Sequence, residues 1–147
     1  MVTFCIAALS RLFPTPQLSL RDDVIMLPQE QRRILLIDDN EDLLDVLAIL
    51  LGARGFTTIV ARNGVEALEL LENSPHPAVI LLDLNMPVMD RREFLVRKAE
   101  IPKIAAIPVI ITTGNPAQAP ANVPILRKPF ELPKLIQAVN QYCGTPD

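Results

Sequence analysis

Aromatic residues, basic clusters and long apolar runs are scarce in this sequence. Only 4% of its 147 residues are aromatic, and it contains no run of Lys or Arg and no stripe that alternates basic with aromatic side chains. Nucleic-acid binding is therefore not expected, because it requires a basic surface that neutralises phosphates. No apolar run is long enough to span a bilayer, so no membrane association is expected either.

Cysteine is also rare, and its positions exclude a metal or disulfide framework. Cys5 and Cys143 lie near opposite ends of the chain and form neither a CxxC pair nor a metal-ligand spacing. This usage favours a reducing compartment, so we expect a cytoplasmic protein in which Cys143 is a small buried residue. The apolar stretch from residue 4 to residue 9 has no basic residue before it, so a secretory signal is not expected.

Length and composition indicate one folded domain with a full core. The chain is 50% hydrophobic and 21% charged with a net charge of -3, which is typical of a globular domain of this length. Residues 1–31 differ, because prolines interrupt them and no period of two or of 3.6 is sustained, and we predict a flexible extension there. Met26 lies just ahead of the patterned region, and a start of translation there is an alternative hypothesis. The domain is expected at residues 32–143, followed by a short tail at 144–147.

From Arg32 onward, short apolar runs alternate with amphipathic stretches. Strict alternation of strands and helices, with almost continuously apolar strands, predicts an α/β domain with a parallel sheet covered by helices on both faces. In such sheets, binding and chemistry gather at the carboxyl ends of the strands. The expected strands cover residues 34–37, 57–61, 78–82, 109–112 and 125–127.

The helices follow from capping residues and apolar spacing. Asn40 is the predicted N-cap of a first helix, whose leucines recur at helical intervals. In the second helix, Val65, Leu68 and Leu71 are expected to share one face while glutamates share another. Two further helices are expected over residues 91–99 and from Pro133 onward.

Side chains of complementary chemistry stand at the strand ends. Asp38 and Asp39 end the first strand, Asp83 follows the third, Thr113 follows the fourth and Lys128 follows the fifth. Because the carboxyl ends of parallel strands meet at one edge, we expect these side chains to converge. Three crowded carboxylates repel one another, and a divalent cation relieves that repulsion.

Mg²⁺, or Mn²⁺ in its place, suits such a site because both prefer oxygen ligands. Asp39 and Asp83 are the expected direct ligands, Asp38 would act through water, and the backbone carbonyl of Asn85 would complete the set. A carboxylate in this setting acts as a nucleophile toward a phosphoryl donor. The ammonium of Lys128 and the hydroxyl of Thr113 would then stabilise the phosphoryl oxygens.

The whole set of motifs resembles the receiver domain of two-component response regulators. It consists of the 38–39 acid pair, the sequence Asp83-Leu84-Asn85-Met86-Pro87, Thr113 and the sequence Lys128-Pro129-Phe130. The resemblance covers residues 32–143 and implies a doubly wound, flavodoxin-like sheet in the order 2-1-3-4-5. It implies Asp83 as the phosphoacceptor, Asp38 and Asp39 as the acidic pair, Thr113 as the switch hydroxyl and Lys128 as the family's lysine.

The same resemblance implies the partners. A sensor histidine kinase or a histidine phosphotransfer protein would supply the phosphoryl group from a phosphohistidine, docking beside the first helix. The domain would take part in its own phosphorylation and dephosphorylation without being an enzyme in the usual sense. Nothing in the sequence names a downstream partner.

The chain departs from the family pattern at several places. Val88 and Arg91 stand in the loop where the family has glycines, so a reshaped loop is expected. Three prolines between Thr113 and Lys128 predict that the fourth helix, between the fourth and fifth strands, is short or missing and that the loop is mobile. Ile125 stands where the family often has an aromatic ring. Only a short tail follows Cys143, which favours a stand-alone receiver.

Each candidate also has a simpler interpretation. The acids at 38 and 39 suit a helix N-terminus, Thr113 suits a turn, and Lys128 suits an exposed surface. Asn85 and Asn115 act either on hydrolysis of the acyl phosphate or only as turn formers. The remaining candidates are interpreted as exposed: His76 as a loop residue, and Arg91, Arg92, Arg97 and Lys98 as surface charge.

Two other functions compete with phosphoacceptance. The first is a receiver-like adaptor that binds partner proteins without phosphorylation, which the reshaped loop and missing helix favour. The second is a hydrolase or nucleotide-binding protein. The sequence argues against it, because GxGxxG and GxxxxGK[ST] are absent and residue 85 is not the second acid of a haloacid-dehalogenase phosphatase.

Overall fold

The five apolar runs form one parallel sheet in the computed structural model of the chain, which describes residues 32–85 and 88–143. The strands are β1 (Arg33–Ile37), β2 (Thr57–Ala61), β3 (Val79–Asp83), β4 (Val109–Thr113) and β5 (Ile125–Arg127). The helices in the described ranges are α1 (Glu41–Ala53), α2 (Gly64–Asn73), α3 (Arg91–Glu100), α4 (Pro102–Ala105) and α5 (Leu132–Cys143). The expectations for residues 1–31 and 144–147, including Cys5, lie outside the described residues.

The strand order is β2-β1-β3-β4-β5, and all four strand pairs are parallel. The predicted doubly wound topology is therefore confirmed. In this order β1 and β3 are neighbours near the middle of the sheet, and β4 and β5 follow on one side. The carboxyl ends of β1, β3, β4 and β5 thus form a continuous edge.

Two apolar clusters, one on each face of the sheet, form the core. Helices α1 and α5 cover the first face, with Leu47, Leu51 and Val139 buried against it. Helices α2, α3 and α4 cover the second, where Phe94 and Ile104 are fully buried. Cys143 is buried at the end of α5, as predicted. Among the described residues, no helix is long and apolar enough to cross a membrane.

Polar side chains cap α1, α2 and α3, and the first of these caps was predicted. The Asn40 side chain accepts a hydrogen bond from the backbone N–H of Leu43, which confirms it as the N-cap of α1. Asn63 and Asp90 cap α2 and α3 in the same way. The turn after α1 uses Gly55 at a φ of +85°, and the Arg32 guanidinium holds that turn by donating to the Gly55 carbonyl.

The predicted apolar face of α2 is confirmed at Leu68 and Leu71, which contact the core, but not at Val65. Val65 is 41% exposed, whereas Gly64, Ala67 and Leu71 are buried. The cap at Asn63 fixes the start of the helix, and Gly64 then packs directly against Met89. The buried face of α2 thus includes Gly64, and Val65 lies at its exposed edge.

The interpretation of Lys98 as surface charge is also wrong. Lys98 is only 5% exposed, and its ammonium donates a 2.8 Å hydrogen bond to the carbonyl of Ala105. Helix α4, which the sequence analysis did not predict, supplies that carbonyl. Arg97 and His76 are exposed as expected, and Arg97 pairs with Glu93 one turn away.

Between β4 and β5, the expectation that the connecting helix is short or missing is confirmed. The segment forms only a 3₁₀ turn at Pro116–Gln118. Prolines lack a backbone N–H, so their density here prevents a regular helix.

Candidate functional site

The acid residues converge because they end neighbouring strands. Asp38 follows β1 directly and Asp83 is the last residue of β3, and β1 and β3 pair in parallel. Asp39 follows Asp38 at the start of the loop into α1. One carboxylate oxygen from each of the three residues lies within 4.8 Å of the others. The structure thus brings together the three predicted carboxylates.

Lys128 reaches this cluster from the end of β5. Its ammonium lies 2.6 Å from Oδ2 of Asp38 and 3.1 Å from Oδ1 of Asp83. The backbone N–H of Lys128 donates to the carbonyl of Thr113, which fixes the lysine against the end of β4. The peptide bond between Lys128 and Pro129 is cis.

The two central carboxylates are shielded from solvent. Asp38 is 5% exposed and Asp83 is 6% exposed, whereas Asp39 is exposed. The backbone N–H of Asn40 donates a 3.0 Å hydrogen bond to Oδ1 of Asp38. Asp38 therefore has one oxygen held by a backbone amide and the other by the ammonium of Lys128, so its orientation is fixed from both sides.

Burial and charge shift the pKa values of the central pair. Burial raises the pKa of Asp83 above the ordinary value of 3.8, and the nearby Asp38 and Asp39 charges raise it further, although Lys128 opposes the shift. Burial is the largest influence on the pKa of Lys128 and lowers it. The hydrogen bonds and charges of Asp38 and Asp83 outweigh burial, so the lysine pKa lies above 10.5. The side chain of Lys128 therefore carries its positive charge at neutral pH.

The donor set fits a hard divalent cation. Three carboxylates within one small volume carry more negative charge than the single ammonium of Lys128 neutralises, and carboxylate oxygens are the ligands that Mg²⁺ prefers. Asp39 is the most accessible of the three acids and can approach an ion together with Asp83. Asn85 lies two residues beyond Asp83 and its side chain is exposed. The role of its carbonyl stays a prediction.

Thr113 lies at the end of β4 beside the acid cluster and is 2% exposed. Its Oγ1 accepts a 3.0 Å hydrogen bond from the backbone N–H of Asn115. The hydroxyl proton of Thr113 stays available to a second acceptor. The Asn115 side chain accepts a hydrogen bond from the N–H of Ala117, as expected of a turn former.

Two contacts near the site were not predicted. The backbone amide of Asn40 orients Asp38, although the sequence analysis treated Asn40 only as a helix cap. The guanidinium of Arg91 donates to the carbonyl of Gln118, across 27 residues of sequence. The contact between Asn40 and Asp38 can be predicted from an acid that stands two residues before a helix N-cap. No local pattern predicts the contact between Arg91 and Gln118.

Fold and site together define an α/β domain of the doubly wound, flavodoxin-like class with an acidic site at the strand ends. The family model described as the response regulator receiver domain matches residues 34–140, and the chain belongs to that family. It is therefore a receiver domain of two-component signalling.

The chain is also similar to individual proteins over most of their length. A 14.6 kDa protein in the sodA1 3′ region of Leptolyngbya boryana is 35% identical over 120 residues, covering 77% of this chain and 91% of the relative. The polar-differentiation response regulator DivK of Brucella ovis is 27% identical, covering 77% of this chain and 97% of DivK.

A solved structure shares the fold. It is the receiver domain of the sensor histidine kinase PA1611 from Pseudomonas aeruginosa, crystallised with a magnesium ion coordinated in its active-site cleft. The TM-score is 0.69 at 24% identity, and the match covers 78% of this chain and 98% of that domain.

Proposed function

We propose that this receiver domain accepts a phosphoryl group on Asp83 from a phosphohistidine, in a reaction that depends on a divalent cation. The observation that carries the proposal is the position of Lys128, whose ammonium contacts both Asp38 and Asp83 at the carboxyl edge of the sheet. This places a fixed cation beside the carboxylate that would become negatively charged acyl phosphate. We expect the transfer to take place in the cytoplasm.

The transfer requires one bond to form and one to break. An oxygen of Asp83 attacks phosphorus, and the P–N bond to the donor imidazole breaks. The electron pair of that bond goes to the imidazole nitrogen, which is then protonated. Lys128 already holds Oδ1 of Asp83, so Oδ2 is the oxygen available for attack. The site contributes positioning and charge stabilisation, and the divalent cation is part of the charge stabilisation.

Each neighbour has a distinct task in this proposal. Lys128 and the Thr113 hydroxyl would donate hydrogen bonds to phosphoryl oxygens. Asp38, Asp39 and Asp83 would hold Mg²⁺, which supplies charge neutralisation when bound. The magnesium in the solved PA1611 receiver domain supports this assignment for the cation. Asn85 would contribute its backbone carbonyl.

A sensor histidine kinase or a histidine phosphotransfer protein is the proposed donor. Membership in the receiver family supports this partner class. Because the phosphoryl group is taken up and released at the same aspartate, the domain would act as a signalling switch that modifies itself.

Phosphate incorporation tests the proposal. Protein incubated with Mg²⁺ and acetyl phosphate should gain one phosphate in intact-mass measurements, and Asp83→Asn should gain none. Asp45→Asn, which changes an exposed acid on α1, is the matched control and should be labelled like the wild type. Equal labelling of Asp83→Asn and the wild type would exclude Asp83 as the acceptor.

The second candidate function is an adaptor that binds partners without phosphorylation. The 3₁₀ turn between β4 and β5 favours the adaptor, because ordinary receivers have a helix in that region. This alternative requires that partner binding be unchanged by Asp83→Asn.

A further inference from the structure

The outer face of α3 takes no part in the core. Phe94 and Lys98 are buried on the inner face of this helix. Val96 lies two residues from each of them, which at about 3.6 residues a turn is the opposite side of the helix. Its side chain is 52% exposed. A single exposed valine is ordinary on a protein surface, so the residues around it decide what it can contact.

Val96 lies between two opposite charges. Arg92 is one turn before it, Glu100 is one turn after it, and both side chains are exposed. Residues four apart form a ridge on a helix and are separated by about 6 Å along its axis. The two charges are therefore about 12 Å apart along the helix, with the valine midway between them. We call Arg92, Val96 and Glu100 the α3 ridge.

Neither charge of the α3 ridge has an ion-pair partner among the residues that the structure describes. Arg97 and Glu93, on the same helix, are four residues apart and pair with each other. Arg92 and Glu100 are eight residues apart, which is too far for an ion pair along one helix. The charges of Arg92 and Glu100 are therefore available to groups on another molecule.

A two-fold axis through Val96 would make the α3 ridge complementary to itself. If two copies packed α3 against α3 in antiparallel directions, Val96 would face its own counterpart, and Arg92 of each copy would face Glu100 of the other. Ridges of this spacing pack together in the commonest class of helix pairs. Ala99 lies beside Val96, is exposed and is small, so it leaves room for the second helix. A parallel arrangement would place like charges together instead.

We propose that the α3 ridge is the contact surface for a second copy of this chain, in an antiparallel dimer with two-fold symmetry. One short ridge buries less than the roughly 800 Å² per partner of a standard interface, so the dimer is weak and exchanges with monomer. The exposed ion pairs contribute little affinity and mainly determine the orientation of the two copies. Because α3 and α1 lie on opposite faces of the sheet, the dimer leaves α1 uncovered.

Sedimentation velocity of the full chain, at protein concentrations up to the millimolar range, tests the α3 ridge. The wild type should show an equilibrium between monomer and dimer. Arg92→Glu and Glu100→Arg each bring two pairs of like charges together in every dimer, so either variant should dimerise about tenfold more weakly. The combined variant Arg92→Glu/Glu100→Arg should dimerise like the wild type, because it restores both opposite pairs in reversed order. Its charges also agree with the helix dipole, so α3 should keep its fold.

Lys134→Glu is the matched control, since it makes the same change of charge at an exposed position of α5, and it should dimerise like the wild type. Raising the salt from about 0.1 M to about 1 M shortens the Debye length from about 10 Å to about 3 Å and should remove most of the difference between the wild type and the single variants.

Three results would overturn the proposal. A wild type that stays monomeric at millimolar concentration would exclude the dimer. Dimerisation that neither Arg92→Glu nor Glu100→Arg weakens would exclude the α3 ridge as its contact surface. Weakening by both single variants without recovery in the combined variant would exclude the antiparallel arrangement. None of these measurements involves a phosphoryl donor, so their outcome is independent of the proposed function.

Discussion

The ammonium of Lys128 lies closer to Asp38 than to Asp83, at 2.6 Å against 3.1 Å. In this arrangement the lysine neutralises mainly the carboxylate that is not the proposed acceptor. Asp38 is fixed at its other oxygen by the amide of Asn40. Asp38, which is hydrogen-bonded at both oxygens, therefore positions the ammonium of Lys128. The remaining N–H groups of that ammonium can donate to Asp83 or to a group attached to Asp83.

Replacement of Lys128 should destabilise the protein and impair phosphorylation. Lys128→Met would leave two buried carboxylates without their cation, and we expect a loss of about 2 kcal/mol in the free energy of unfolding at neutral pH, below the 3–5 kcal/mol of fully buried pairs. Urea unfolding measures it. Lys134→Met, at an exposed position of α5, is the control and should change stability little. Similar losses in both variants would contradict a special role for Lys128.

Asp83→Asn should stabilise the metal-free protein at neutral pH. Burial raises the folded-state pKa of Asp83 above 3.8, so ionising this group costs more in the folded than in the unfolded state. The wild type therefore loses stability as the pH rises from 3.8 through the folded-state pKa. The asparagine variant avoids that loss.

Thermal unfolding in EDTA measures this effect. The variant should unfold at a higher temperature than the wild type at pH 7, and the difference should vanish as the pH falls below the ordinary carboxyl value of 3.8. Asp45→Asn, at an exposed position on α1, is the control variant for the removal of a carboxylate. If the gain in unfolding temperature did not vary with pH, packing and not the ionisation of Asp83 would be its cause.

The site and the fold differ in how far the sequence determines them. The sheet order was implied by the resemblance to the receiver family and is confirmed. The convergence of Asp38, Asp83 and Lys128 follows from alternating strands and helices, because parallel topology brings the strand ends to one edge. Local patterns were sufficient there. The missing helix after β4 likewise followed from the chemistry of proline alone.

Features that depend on distant contacts were not predictable. Lys98 is buried because α4 supplies the Ala105 carbonyl, and the pattern of α3 contains no information about that helix. The orientation of α2 depends on the contact of Gly64 with Met89, which comes from the loop after β3. In both cases a tertiary contact overrides the periodicity of one element.

Magnesium should stabilise the wild type more than variants that lack a ligand. Binding to the folded state alone adds about 1.4 kcal/mol when free Mg²⁺ exceeds its Kd tenfold. We expect the unfolding temperature of the wild type to rise with Mg²⁺ and to fall back on addition of EDTA. Asp39→Asn should lose most of this response, whereas Asp42→Asn, at an exposed position on α1, should keep it. An unchanged response in Asp39→Asn would exclude Asp39 as a ligand.

Two glycines in helices should respond in opposite directions to alanine. A Cβ at Gly64 would lie 2.9 Å from Sδ and 3.0 Å from Cβ of Met89, so the loop after β3 would have to shift. Overpacking outweighs the gain in helix propensity, and we expect Gly64→Ala to lose about 1 kcal/mol in the free energy of unfolding.

Gly52 provides the matched case, because a Cβ there would meet nothing within 4 Å and the residue lies in α1. Gly52→Ala should gain about 0.5 kcal/mol from helix propensity alone. Urea unfolding of both variants measures the difference. Met89→Ala should relieve part of the loss at Gly64, since it removes Sδ and Cγ but keeps the Cβ that would lie 3.0 Å away. Equal stabilisation by both alanines would mean that Met89 yields freely, and the contact between α2 and the loop beside Asp83 would then not fix the orientation of that helix.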